Sequence, residues 1–375
     1  MLKNLIFIFC LIFTVNCYGE DIKPQVNALS AVLIDGDTGR ILWGKNEDAP
    51  MAMASTTKIM TAIVTLENAD ISRKTTISKN ATLAPPVKMY LQQGEELTLE
   101  QLLYALLMQS SNDAAVAIAE DVGGNVENFC KMMNKKAKEL GCIDTEFVTP
   151  NGLDKGNHHS TAYDMALIGA YAIKNSEFIK ISNTKNISFS SNKKSYSIVN
   201  KNQLLNSYNG AIGIKTGFTG KAGHCFVGAA KRGNVTLVSV VLASGWGTAG
   251  KAKKWSDTVK ILNYGFDNYK KYSIIGDNID VCVDKAKVNK TVLKYKNSVE
   301  LLLNENEKNE IMFKNNVPPI IEAPIYKNSK IGIGEVYIGN YKAAEIDIIA
   351  SENISKHSLG NSFNKIIEDW IKLIC

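Results

Sequence analysis

In "PMAMASTTKIMTAI" a serine, Ser55, stands three residues ahead of a lysine, Lys58, at the mouth of an apolar run. A serine hydroxyl is a weak nucleophile that needs a base, and residues three apart on a helix share a face, so Lys58 can reach Ser55 Oγ. Spacing alone does not single this pair out, because it recurs at Ser182/Lys185, Ser190/Lys193, Ser191/Lys194 and Ser362/Lys365. A serine at a helix start also reads as an ordinary N-cap. What distinguishes Ser55 is company: "SSN" at Ser110 to Asn112 and "KTG" at Lys215 to Gly217 follow in order. One sits at a helix start, one in a break between helices and one on a strand, an arrangement with a known catalytic logic.

The chemistry sets conditions on each residue. A lysine is a base only when neutral, and both desolvation and a neighbouring cation depress its pKa, a cation that Lys215 is expected to supply. Ser110 offers a hydroxyl that relays a proton to a leaving amine, and Asn112 an amide that holds substrate. Lys215 and Thr216 suit a substrate carboxylate, while Gly217 lets a ligand approach the strand closely. Backbone N–H groups of Ser55 and Phe218 are the natural oxyanion hole for a tetrahedral intermediate. No cofactor is required by this scheme. His158 and His159, outside the three clusters, are expected in structural or solvent-exposed roles, and Cys225, beside His224, as a packed thiol.

The elements that must position these residues are legible in outline. "ALSAVLIDGDTGRILWGKN" reads as strand, turn, strand. From Ser55, the positions Ile59, Ala62, Ile63 and Leu66 fall at helical spacing, so Ser55 is expected to cap a helix aimed into the core. Thr98 with Gln101 predicts a capping box before Leu102, Leu103, Leu106 and Leu107, and "QSSND" breaks the chain before "AAVAIAEDV". Residues 160–180 read as one further helix. "AIGIKTGFT", "HCFVGAAK" and "VTLVSVVLAS" then predict an antiparallel meander, closed by a helix in "KKWSDTVKILNYGF". The expected fold class is therefore α+β over residues 24–268, an antiparallel sheet flanked by helices. A small all-β domain over 270–350 follows, with its clearest hairpin turning near Gly339 and Asn340.

Bulk composition narrows the function classes. The chain has 375 residues, 45% hydrophobic and 21% charged, which is the make-up of a folded protein long enough for two domains. Its net charge of +6 comes from 43 basic and 37 acidic residues without a dense cationic block, which argues against nucleic-acid binding. The apolar run from Leu5 to Val15 would rise only about 16 Å as a helix, short of a roughly 30 Å hydrocarbon core. It predicts a signal peptide over 1–19, with Cys17 and Gly19 at the small-residue positions before a cut. Five scattered cysteines then remain, Cys130, Cys142, Cys225, Cys282 and Cys375, which suggest neither a disulfide scaffold nor a metal site. At the other end, Phe363, Ile366, Ile367, Trp370, Ile371 and Ile374 recur at helical spacing, so 358–375 reads as an amphipathic helix suited to a membrane surface.

The three clusters, with "MYLQQGEELTLEQLLYALLMQSSNDAAVAIAE", "NGLDKGNHHSTAYDMALIGAYA" and "GIKTGFTGKAGHCFVGAAKRG", resemble the serine D-alanyl-D-alanine carboxypeptidases of peptidase family S11, the low-molecular-mass penicillin-binding proteins. The likeness is close over about residues 25–268 and looser beyond. It implies a β-lactamase/transpeptidase-like fold and an exported enzyme at the outer face of a bacterial cytoplasmic membrane. It also implies removal of the terminal D-alanine from peptidoglycan stem peptides through an acyl-enzyme on Ser55, with β-lactams acylating the same serine. The sequence departs from the family pattern at Ser111, where small residues are usual; motif position favours Ser110 as the relay. Three alternatives stay open at this level: a β-lactamase, a DD-endopeptidase on the same fold, and a catalytically silent wall-binding module.

Overall fold

The computed structural model describes residues 23–357 together with Ile367, Trp370 and Ile371. The signal-peptide expectation for 1–19 and Cys375 lie outside the described residues, as does most of 358–375.

The chain opens with strands β1 (Ser30–Asp35) and β2 (Ile41–Lys45), joined by the expected turn. There the Asp35 carboxylate accepts from the Thr38 hydroxyl at 2.7 Å and from the Asp37 N–H at 3.1 Å. A single 3₁₀ turn, Ala54–Thr57, leads into α1 (Lys58–Asn68). Beyond it come β3 (Lys74–Thr76), α2 (Lys79–Thr82), β4 (Glu96–Thr98) and α3 (Leu99–Tyr104). Helix α3 runs into a one-turn π segment, Ala105–Gln109, followed by α4 (Asn112–Gly123) and α5 (Val126–Glu139).

The stretch 160–180 is two helices, not the one that periodicity suggested: α6 (Ala162–Ala172) and α7 (Ser176–Asn183). The physical reason is Asn175, whose side chain accepts from the N–H groups of Glu177 and Phe178 and so starts a new helix. A hairpin of β5 (Asn186–Ser190) and β6 (Ser195–Val199) and the short α8 (Leu204–Ser207) precede the meander. The meander is β7 (Ala211–Thr219), β8 (Gly223–Arg232) and β9 (Val235–Leu242), closed by α9 (Gly247–Asn268).

These strands form one sheet in the order β2-β1-β9-β8-β7, so the first hairpin pairs with the last strand of the meander. Both faces are covered, which is why β9 is buried at every position. On one face Leu33, Phe226, Leu237 and Val241 pack under Ile261 and Leu262 of α9. On the other, Val227, Val238 and Val240 join a large core with α1, α3, α4, α5 and α6. Helix α1 is buried from Lys58 through Thr65 without a solvent face, as a helix central to its domain must be.

Past Tyr269 the chain forms β10 (Lys270–Ile274), β11 (Ile279–Asp284), β12 (Lys290–Tyr295), β13 (Val299–Leu303), α10 (Glu305–Asn309), β14 (Ile311–Asn316), β15 (Ile320–Glu322), β16 (Lys330–Ile338) and β17 (Tyr341–Ala350). The short α10, begun by an Asn304–Glu307 capping box, is the one departure from an all-strand reading of this stretch. Six of the strands make a sheet in the order β14-β16-β17-β12-β11-β15 around a core of their own that includes Leu293, Val336 and Ile348. Arg40 ties this part to the first through Glu307 at 2.6 Å, and the Tyr269 hydroxyl donates to Leu42 O at 2.9 Å.

The capping box predicted at Thr98 is present: its hydroxyl accepts from Gln101 N–H at 3.1 Å, and Gln101 Oε1 accepts from Thr98 N–H at 2.9 Å. Thr98→Ala is expected to lower unfolding free energy by about 1 kcal/mol in urea titration, while leaving the reactivity of Ser55 intact.

Candidate active site

The fold gathers the three clusters at the N-terminal end of α1. Ser55 does not cap that helix by its side chain. It lies within the 3₁₀ turn, Thr57 holds the N-cap position without a side-chain cap bond, and the Ser55 hydroxyl faces Lys58 and, at 3.4 Å, Asn151 O. Lys58 Nζ is 2.9 Å from Ser55 Oγ, 2.8 Å from Asn112 Oδ1 and 2.6 Å from the backbone oxygen of Asn151. Two of these neighbours, the Asn112 and Asn151 carbonyl oxygens, can only accept. A neutral amine therefore points its two N–H bonds at them and its lone pair at Ser55 Oγ, whereas an ammonium donates to all three. The heavy atoms serve both states without moving.

Lys58 is wholly buried, and its pKa is lowered from 10.5 to about 7. Burial is the largest cause and the Lys201 ammonium the next; the Asp113 carboxylate opposes both. Lys215, the expected neighbouring cation, is coupled electrostatically to Lys58 as well, and Lys201 joins it. Lys201 is anchored beside Ser110, with its N–H donating to Met108 O and its Nζ to Gln109 O at 2.7 Å. Lys215 is itself buried, and desolvation, followed by Lys58, Lys201 and Lys254, pushes its pKa well below the ordinary value.

Asn112 has protein partners on both ends of its amide. Its Nδ2 donates to Pro85 O at 3.0 Å and Pro86 O at 3.1 Å while Oδ1 receives Lys58. With its donors held by these carbonyls, the side chain orients Lys58. Asp113 holds the loop that supplies those carbonyls, accepting from Met89 N–H and Leu91 N–H, each at 3.1 Å. Ser110 is left-handed, with φ of 70°, at the end of the π turn. The adjacent Ser111 hydroxyl is enclosed without a hydrogen-bond partner, whereas Ser110 retains 8% exposure.

Strand β7 carries "KTG" alongside the 3₁₀ turn. A Cβ on Gly217 would stand 3.0 Å from Met53 O and 3.1 Å from Ser55 N, so glycine is what lets the strand lie against the nucleophile's backbone. Lys215 Nζ donates to Thr216 O at 2.9 Å. Phe218 is half exposed, its ring 4.4 Å from that of His224. Cys225 is fully buried, and desolvation raises its thiol pKa to about 12, the inert state expected of a packed thiol. His158 is buried and His159 half-buried. The free cysteines among the described residues are Cys130, Cys142, Cys225 and Cys282, and no group of metal-ligating side chains is found among those residues.

Asn151 and Lys201 were missed by the sequence reading. The Asn-Gly pair at 151–152 signals a turn, but which carbonyl the turn presents to Lys58 is decided by packing 93 residues away in sequence. Lys201 carried no signal that separated it from other lysines.

The family model described as D-alanyl-D-alanine carboxypeptidase matches residues 19–245, and that of the penicillin-binding protein 5 C-terminal domain matches 269–356. The D-alanyl-D-alanine carboxypeptidase DacF of Bacillus subtilis is 34% identical over 361 residues, covering 92% of this chain and 90% of the relative. A D-alanyl-D-alanine carboxypeptidase of Streptomyces sp. strain K15 is 37% identical over 262 residues, covering 65% of this chain and 89% of the relative. The crystal structure of penicillin-binding protein 5 from Haemophilus influenzae superposes with a TM-score of 0.73 at 29% identity, covering 89% of this chain and 99% of that one.

Because protonation of Lys58 removes the lone pair aimed at Ser55, the site has a definite pH dependence. Acylation of Ser55 by a reactive probe is expected to fall about tenfold per pH unit below the Lys58 pKa and to level off above it, in stopped-flow rates between pH 5 and 9.

Proposed function

Because the chain belongs to the D-alanyl-D-alanine carboxypeptidase family of serine peptidases, we propose that it removes the C-terminal D-alanine from peptidoglycan stem pentapeptides through an acyl-enzyme on Ser55. The observation that carries the reading is the Lys58 amine, dry and held by two carbonyls with its third direction on Ser55 Oγ at 2.9 Å.

In this reading Ser55 Oγ attacks the carbonyl carbon of the D-alanyl-D-alanine bond as Lys58 takes its proton. The Ser55 and Phe218 backbone N–H groups meet the developing oxyanion, and Lys215 and Thr216 hold the terminal carboxylate. Ser110 relays the proton held by Lys58 to the departing amine as the C–N bond breaks, so that free D-alanine leaves and Lys58 is neutral again. Water then attacks the ester carbonyl as Lys58 removes its proton, and Lys58 returns that proton to Ser55 Oγ as the ester bond breaks. A β-lactam enters the same first step, but its ring-opened amine stays tethered to the acyl group. Neither Ser55 nor Lys58 has a carboxylate among its hydrogen-bond partners, only Asn112 and Asn151, which supports slow release of such an adduct over β-lactamase turnover.

Residues 24–268 form the catalytic part in this reading and 270–350 the β domain, following a signal peptide at 1–19 that exports the protein. The substrate lies outside the cytoplasm, in the bacterial wall. Ile367, Trp370 and Ile371 are helical and exposed, which supports 358–375 as a helix lying on the membrane surface. Among the described residues, no helix is long and apolar enough to cross a membrane.

Ser55→Ala is expected to abolish both labelling by a fluorescent penicillin and D-alanine release from diacetyl-Lys-D-Ala-D-Ala. Lys58→Ala is expected to slow acylation by about 10²- to 10⁴-fold with the fold intact. D-alanine release surviving in Ser55→Ala would refute the assignment, and rapid nitrocefin turnover by the native protein would reassign it as a β-lactamase.

A further inference from the structure

His158 belongs to none of the three motifs, yet it joins the two segments that meet at Lys58. Its Nδ1 accepts the Val148 N–H at 3.0 Å, and its Nε2 lies 2.8 Å from Thr57 Oγ1. A backbone N–H can only donate, so in the neutral ring the proton sits on Nε2 and goes to Thr57. The Thr57 hydroxyl in turn donates to Ala54 O at 2.8 Å. The result is a one-way chain from Val148 N–H through His158 and Thr57 to the carbonyl just before Ser55.

The same loop touches α1 and the turn at one further point each. Thr61 Oγ1 donates to Pro150 O at 2.6 Å, one residue before the carbonyl that holds Lys58. Gly152, at φ of +82°, lies so close that a Cβ there would stand 2.0 Å from Ala54 O. Asn151 is thus bracketed by Pro150 on one side and by Gly152 and His158 on the other.

We propose that His158 is a positioning residue, which sets the Asn151 carbonyl against Lys58 and holds the Ser55 turn against both. The proposal rests on Lys58 being the base of the reaction. Histidine suits the place because one ring offers an acceptor and a donor on opposite sides at fixed spacing. Protonation would set Nδ1–H against Val148 N–H, donor to donor. Burial, with smaller contributions from His159 and Lys58, lowers the ring's pKa to about 4 and keeps it neutral. The charged or titratable groups acting on Lys58 itself are Lys201, Asp113, Lys215 and His158.

A core histidine with no part in positioning would lower stability when removed and leave the folded fraction reacting normally. The test is stopped-flow acylation of the full chain by a fluorescent penicillin, with melting temperature and circular dichroism measured on the same samples. His158→Ala is expected to lower the limiting acylation rate about tenfold to hundredfold with non-covalent affinity within about twofold, since small misplacements at a reacting pair have effects of that size. It is also expected to shift the acid limb of the profile upward, because water entering the vacated ring volume weakens the desolvation that depresses Lys58. His158→Gln, whose amide also offers an acceptor and a donor, should recover most of the rate. Should His158→Ala not fold, Thr57→Val cuts the same chain with the ring in place and is expected to show the same loss and shift. A folded variant with native rate and native acid limb overturns the proposal, as does a loss that merely tracks the unfolded fraction. Absence of acylation in the native protein would instead overturn the assignment of Ser55 and Lys58.

Discussion

A lysine amine buried without a carboxylate partner is the constraint around which this molecule is arranged. Taking an ammonium out of water is costly unless an opposite charge comes with it, and the group responds by giving up its proton more easily. Lys58 has only neutral acceptors within hydrogen-bond reach, and the one carboxylate that acts on it, Asp113, is occupied by the loop before α4. The site thus obtains a base at neutral pH from burial and neighbouring cations.

Keeping that amine dry requires a helix with no solvent face. Helix α1 meets the requirement because α4, α5 and α6 and the inner face of the sheet close around it, and Lys58 stands at its first turn. The opening that remains is at the helix start, where β7 comes up against the 3₁₀ turn. Gly217 lets the strand lie within contact of Ser55 N, and Gly152 lets the loop on the other side lie against Ala54 O. Two glycines, one where a Cβ would collide with backbone and one where it would crowd it, set how tightly the nucleophile is enclosed.

The C-terminal part has its own core and supplies none of the groups around Lys58. Its link to the catalytic part is local, through the ion pairs Arg40 with Glu307 and Lys271 with Asp37 and through Leu302, which is buried in the core beneath α9. Architecture and chemistry are therefore separable: the first sheet and its helices build the reaction site, while the second sheet leads the chain toward the exposed apolar residues Ile367, Trp370 and Ile371.

The linear chain determined what depends on short-range pattern. Alternating and helical periodicity marked the meander, the capping box at Thr98 and the helix after Ser55, and motif order marked Ser55, Lys58, Ser110, Asn112 and Lys215 out from four other serine-x-x-lysine pairs. Periodicity failed where a polar side chain overrode it, as at Asn175, which divides α6 from α7 within a continuous helical pattern. What only the tertiary structure decided were the partners of the groups that the motifs named. Lys201 joins Lys215 as a cation near Lys58; Asn112 donates its amide to Pro85 and Pro86; and a backbone oxygen at Asn151 completes the amine's surroundings. The reason is physical: a pKa depends on distance and burial in space, and a carbonyl contributes through the direction of its backbone, neither of which is written in residue type.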